Sequence, residues 1–248
     1  MKNARLFDDV DSMLIVDSLQ ERVYKMLKKS ILFNKLKPGQ PLNIDQLASD
    51  LGVSQTPVRE ALAMLKLDGL VTKGYYKTPI VSEIEEDDVR EIYEVRKMME
   101  CFALRKVAVT LQDDDFNKLG EIISSIYKTS LDTYQESLTR SDVDFHGFFI
   151  SRVENNTFFR MYKSIEDLAL RIRTLVQEQT YQNTNIVLNE HKTILDSLLK
   201  RDTDLACQNL ITHLSYACER TLNSLSGSSN THIRDEYQEN GDDDGEGN

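Results

Sequence analysis

The chain has 248 residues, 40% of them hydrophobic, three cysteines and a formal net charge of −11. No apolar run approaches the roughly 20 residues that span a bilayer, and no basic stretch followed by a short apolar core opens the chain, so a cytoplasmic protein without membrane partners is expected. Three cysteines are no disulfide framework; Cys101, Cys207 and Cys218 read as small buried side chains.

The negative charge is uneven. Residues 1–82 carry 12 Lys or Arg against nine Asp or Glu, and the remainder 18 against 32. A slightly basic head on a strongly acidic body is compatible with a separate DNA-binding domain.

Residues 1–13 are polar and read as loose. A first helix is expected from about Val16 to Phe33, with Leu19, Val23, Met26, Leu27, Ile31 and Leu32 at helical spacing. Lys37-Pro38-Gly39 ends it. Ile44, Leu47, Ala48 and Leu51 mark a short second helix, which Gly52 breaks. Thr56 is placed as the cap of a third, with Pro57 at its first position and Val58, Ala61, Leu62 and Leu65 inward. Leu70-Val71 and Tyr75-Tyr76, separated by Gly74, read as two short strands joined by a turn.

A short helix, a glycine turn and a second helix is the helix-turn-helix order, in which the start of the second helix enters the major groove. The residues it would present are Ser54, Gln55 and Thr56, with Arg59 one turn later. Gln pairs with adenine and hydroxyls bind bases or phosphates; Arg59 reaches a phosphate or a guanine edge. On the wing, Lys73 and Lys77 face the DNA backbone or minor groove.

Leu47-Ala48, Leu51-Gly52-Val53-Ser54, Thr56-Pro57-Val58-Arg59-Glu60-Ala61-Leu62 and Gly69-Leu70-Val71 resemble the GntR family of bacterial transcription regulators. The resemblance implies a dimer on a palindromic double-stranded operator, with Arg59 touching DNA. Gln55 stands where the family usually has arginine, and the wing is several residues short.

From Glu85 the text becomes helical, in six stretches near 85–108, 112–134, 138–151, 155–180, 183–200 and 202–225. Each needs partners to bury its apolar face, so a bundle is expected. The expected architecture is mostly α: a winged helix-turn-helix head (1–82), an antiparallel bundle of about six helices (83–225) and a disordered acidic tail (226–248).

Asp142 and His146, four apart, face one way, and His191 and His213 each sit on an apolar stripe. Taken singly, each histidine reads as a satisfied core residue. Together, an aspartate and three imidazoles suit Zn²⁺, Ni²⁺ or a related divalent ion. Glu94-Val95-Arg96 to Glu100, Asp142 to His146, Glu190-His191 and His213 resemble the FCD effector domain of the FadR-like branch, in its shorter, VanR-like form. That resemblance implies that Asp142, His146, His191 and His213 hold the metal, that a small organic carboxylate binds beside it, and that the chain is a ligand-responsive repressor. Arg96 is placed near the cavity, as a ligand contact or a salt-bridge partner of Glu100 or Asp142; Arg171 and Arg173 are further candidates, at least one of them expected on a solvated face. The other readings are a helical interaction protein with a structural metal and a degenerate head, and a metal-dependent hydrolase with Glu190 as base. The hydrolase is disfavoured because no oxyanion element is evident and Glu190 points away from its neighbour His191.

Overall fold

A computed structural model describes residues 18–74, 78–125, 134–176 and 184–238, with backbone alone for 134–138, 184 and 227–238. Contacts divide the chain into two compact units at Glu83/Ile84.

In the first unit, Ser18 accepts from the Glu21 amide and starts α1 (Leu19–Leu32). Val23, Leu27 and Ile31, four apart, form its buried stripe, while Met26 and Leu19, expected inward, flank it at 55% and 48% exposure. Asn43 accepts from the Asp45 and Gln46 amides and caps α2 (Ile44–Leu51). Gly52 ends α2 at φ +65°, a conformation that L side chains resist. α3 (Gln55–Leu67) packs on both α1 and α2 through Val58, Ala61, Leu62 and Leu65. Its cap position is Ser54, not the expected Thr56. Pro57 therefore falls third in the helix, where a backbone N–H still has no intrahelical partner and its absence costs nothing. Tyr24 Oη donates to Asp68 Oδ2 at 2.5 Å and ties α1 to the end of α3.

β1 (Val71–Lys73) pairs antiparallel with β2 (Pro79–Val81), with Val71 opposite Val81. The second strand thus lies beyond Tyr75-Tyr76, where it was expected. Val81 is fully buried, and Pro79 opens the strand, a position that tolerates its missing N–H. The Gly74 amide donates to Thr78 O at 2.8 Å at the hairpin's mouth. Residues 75–77, including the candidate Lys77, lie outside the described residues.

The second unit has six helices among its described residues: α4 (Glu86–Ala108), α5 (Asp113–Ser124), α6 (Tyr134–Ser151), α7 (Asn156–Leu175), α8 (Thr184–Leu199) and α9 (Thr203–Gln238). Glu85 and Asp88 form a capping box at the start of α4, and Gln112 and Asp115 another at α5. α4 lies against α6, α7 and α9, and α8 against α5 and α9. Tyr93, Leu104, Phe145, Ile172, Ile194 and Leu214 fill the space between them. α9 runs past the boundary expected at Leu225, to Gln238. No described helix is long and apolar enough to cross a membrane.

Candidate metal centre and nucleic-acid interface

The fold brings Asp142 and His146 of α6, His191 of α8 and His213 of α9 together, with one ligand atom from each within 4.8 Å of the others. All three histidines are almost fully buried. Phe145 stacks on the His191 ring at 4.1 Å and holds it flat against α6. His213 Nε2 lies 3.3 Å from His191 Nε2 and 3.2 Å from His146 Nε2. Asp142 Oδ1 lies 3.5 Å from His146 Nε2 and 3.6 Å from His191 Nε2.

The outer nitrogens of two of these rings meet carboxylates. His213 Nδ1 is 2.7 Å from Glu190 Oε2, and Arg220 grips Glu190 with both terminal nitrogens, at 2.8 and 3.0 Å. His146 Nδ1 is 2.6 Å from Glu100 Oε2, although off the line of a hydrogen bond. Arg96 Nε (2.7 Å) and Tyr162 Oη (2.9 Å) donate to the other Glu100 oxygen. At His213 the Glu190 carboxylate places the ring proton on Nδ1 and turns the Nε2 lone pair inward. That lone pair meets His146 Nε2 at 3.2 Å, a separation at which one cation can take both nitrogens as ligands. Nitrogen ligands at about 2.0–2.1 Å from one ion stand about 3.0 Å apart at octahedral angles and about 3.4 Å apart at tetrahedral ones. The observed 3.2 and 3.3 Å fall inside that window, so the residues fit a divalent cation.

The electrostatics agree. Burial, with the neighbouring imidazoles, pushes His191 well below its ordinary range. Burial likewise brings His213 down to about 4, against the upward pull of Glu190. Burial pushes Glu100 up, but Arg96 and His146 outweigh it and hold the carboxyl well below the usual range. Glu190 is lowered too: burial opposes, and hydrogen bonds from His213 and Arg220 prevail.

Arg96 is buried, engaged by Glu100 and lies over the Tyr93 ring at 5.1 Å. Arg173 pairs with Asp142, and its buried Nε has no hydrogen-bond partner. Burial, with repulsion from Arg96, lowers its pKa to about 10. Arg171 is buried at 4% exposure and Arg173 keeps 18%, so neither lies on a solvated face as expected of one of them; both fall within the packed part of α7. Positions 171 and 173 point to different sides of a helix, and the site draws in Arg173. A groove of about 510 Å³ beside α6, lined by Val143, Gly147, Phe148 and Tyr162 among others, contains none of the four candidate ligands.

Tyr162 and Arg220 were not singled out from sequence; Glu100 entered only as a salt-bridge partner of Arg96, and Glu190 only as the base of the disfavoured hydrolase reading. Glu190 does point away from His191, as adjacency on a helix requires, but it points at His213 of the next helix. Glu100 carried a signal: it lies four residues from Arg96 on the apolar stripe Val89, Tyr93, Ala103, Leu104.

In the head, Ser54, Gln55, Thr56 and Arg59 are all exposed at the start of α3, and Lys73 is exposed on β1. Arg59 Nη2 donates to Gln55 Oε1 at 2.9 Å, and Gln55 Nε2 in turn donates to Asp45 of α2. The side chains at the reading end are thus mutually braced.

Residues 19–73 match the family described as bacterial regulatory proteins, gntR family, and residues 91–216 match the FCD domain. The HTH-type transcriptional regulator YdhC of Bacillus subtilis is 27% identical over 206 residues, covering 82% of this chain and 90% of its own. The gluconate operon transcriptional repressor of Bacillus licheniformis is 22% identical over 194 residues, covering 76% and 79%. Among solved structures, E. coli McbR/YncC shares the fold with a TM-score of 0.70 at 20% identity, covering 85% of this chain and 100% of that one. The chain therefore belongs to the GntR family of bacterial regulatory proteins, carries an FCD domain, and is a DNA-binding transcription regulator rather than an enzyme.

Proposed function

We propose that the protein is a ligand-responsive repressor whose FCD domain holds a divalent metal and, beside it, a small organic carboxylate. The observation that carries this reading is the convergence of Asp142, His146, His191 and His213, with His213 Nε2 3.2 Å from His146 Nε2 and 3.3 Å from His191 Nε2. These four residues would hold the ion; nitrogen and oxygen donors suit Zn²⁺ or Ni²⁺. When bound, the ion supplies a positive charge on which a carboxylate can settle. The chain's own contribution is cationic: Arg96 and Arg173 reach the site, and the unpartnered Arg173 Nε offers a donor where a carboxylate oxygen would accept. Arg171 is the remaining ligand candidate. Repression is supported by relatives such as the gluconate operon repressor.

On DNA, we place Ser54, Gln55, Thr56 and Arg59 in the major groove, and Lys73 with Lys77 on the wing. As a homodimer in the cytoplasm, the protein would read two half-sites of a palindrome. A ligand that favours one arrangement of the dimer shifts operator affinity by its differential affinity for the two.

The test is selection from a random duplex pool by the Zn²⁺- or Ni²⁺-loaded chain at stated salt, followed by sequencing. An enriched palindrome, lost in Arg59→Ala, is expected, with release by candidate carboxylates. A flat pool from folded, metal-loaded protein, with and without those carboxylates, would sink the reading.

A further inference from the structure

Cys101 and Cys207 are 106 positions apart in sequence and meet where α4 packs on α9. Cys101 Sγ lies 3.7 Å from Cys207 O, and Cys207 Sγ lies 3.6 Å from Cys101 O. The contact is reciprocal: each sulfur rests on the other residue's backbone carbonyl. One turn along, Arg105 Nη1 bridges to Asp204 Oδ1 at 2.6 Å across the same two helices. Cys207 is buried and Cys101 half-buried, so the pair is reached from the Cys101 side.

We propose that Cys101 and Cys207 form a redox-sensitive dithiol, which a peroxide converts to a disulfide cross-linking α4 to α9. The chemistry favours this pair over Cys218. The neighbouring Cys101 thiol and the Arg105 guanidinium bring the Cys207 thiol down to about 7 against burial, which favours its thiolate. The Cys207 thiol, together with burial, pushes Cys101 up. Burial pushes Cys218 up as well.

The thiolate attacks one oxygen of hydrogen peroxide. The O–O bond breaks, and the departing hydroxide takes up a proton to leave as water, which gives a sulfenic acid. The second sulfur then attacks the sulfenic sulfur. Its S–O bond breaks, and the departing oxygen leaves as a second water with the remaining thiol proton. Two thiols and one hydrogen peroxide thus become one disulfide and two waters.

The cross-link is placed to be felt at the candidate metal centre. Glu100 precedes Cys101 and stands 2.6 Å from His146, while His213 lies on α9 with Cys207. A disulfide restricts the Cα atoms it joins to about 4.4–6.8 Å with a fixed torsion preference. Closing it therefore adjusts Glu100 against His146. This consequence rests on the metal reading above; disulfide formation does not.

The experiment uses the full chain carrying Cys218→Ser, treated with hydrogen peroxide, denatured without reductant and assayed by thiol titration and peptide mass. The expected result is loss of both remaining thiols, a Cys101–Cys207 peptide two hydrogens lighter than its reduced parts, and recovery with dithiothreitol. Persistence of both thiols under peroxide that oxidises a free thiol, or a link only between chains, overturns the proposal. A second arm titrates Zn²⁺ into the reduced and oxidised chain, with His213→Ala reporting any binding by the thiols themselves. A Kd shifted about tenfold or more by oxidation is expected. An unchanged Kd refutes the coupling, whereas absence of Zn²⁺ binding in both forms refutes the metal reading and leaves the first arm standing.

Discussion

Replacing Glu190 by Gln tests whether the buried cluster is a metal site tuned from behind. The side chain keeps its shape and an acceptor for His213 Nδ1, but loses the charge that Arg220 now neutralises from 2.8 and 3.0 Å. Loss of such a partner costs about 10–100-fold in metal affinity. A metal at 100 times its Kd stabilises the native chain by about 2.7 kcal/mol. At the same free metal, a tenfold weaker site yields about 1.4 kcal/mol and a hundredfold weaker one about 0.4 kcal/mol. For a domain of this size, 1 kcal/mol moves Tm by about 2–4 °C. Scanning calorimetry of the chelated and Zn²⁺-loaded chain should therefore give an upshift of about 5–11 °C for the native sequence and about 1–6 °C for Glu190→Gln. His213→Ala should abolish the shift. If Glu190→Gln keeps the full shift, the carboxylate does not act on the metal. If His213→Ala keeps it, the four residues are not the site.

Arg59→Ala should weaken operator binding and reduce the salt slope of log K by about one if the contact is a phosphate; filter binding at several salt concentrations reads both. Gly52→Ala meets no neighbouring atom within 4 Å, so its whole cost is the left-handed backbone, about 1–2 kcal/mol, visible as a lower denaturation midpoint of the head. The metal-free chain should lose stability as pH falls from about 6.5 toward 4: His213 titrates near 4 when folded and burial holds His191 well below its ordinary range, while the unfolded chain accepts those protons from about 6.5 downward. Stability of that origin is complete above pH 6.5, and urea denaturation across the interval would contradict the reasoning if it stayed flat. Leu104→Ala, at a fully buried position of the bundle, should cost about 2–5 kcal/mol in the same assay.

The elements most legible in the sequence were those whose signal is local. Gly52 needs only its own φ to end α2, and the apolar spacing of Val58, Ala61, Leu62 and Leu65 settles which face of α3 is buried. The strand at Pro79–Val81 was missed because a proline at its start argues against a strand, while Tyr75-Tyr76 has high strand propensity. Pairing is instead decided by tertiary bonds: the Leu42 amide donates to Pro79 O and the Val81 amide to Gln40 O, which fixes β2 against a loop some 40 residues earlier in the chain. The end of α9 was missed for the opposite reason, since composition reports the capacity to pack and says little about a helix that simply continues.

At the candidate centre, the four inner groups were readable because each is a polar residue out of place on an apolar stripe. The groups behind them were harder to place: Glu100 stands on an apolar stripe but already has Arg96 on its own helix, and Glu190 gains its meaning only from the helix opposite. That asymmetry follows from what each layer does. An inner ligand must be polar wherever the chain runs, whereas a supporting carboxylate must only reach a ring nitrogen, and any of several helices can supply it. Here α8 supports the histidine of α9, and α4 supports the histidine of α6, so these two candidate ligands each meet a carboxylate from a different element than the one that carries them. A shift of α4 or α8 by a fraction of an ångström therefore changes the basicity of a ligand without moving the ligand itself. On the metal reading proposed above, the affinity of the centre would follow how the helices pack, which is the property that the proposed ligand, or the proposed cross-link between α4 and α9, would change.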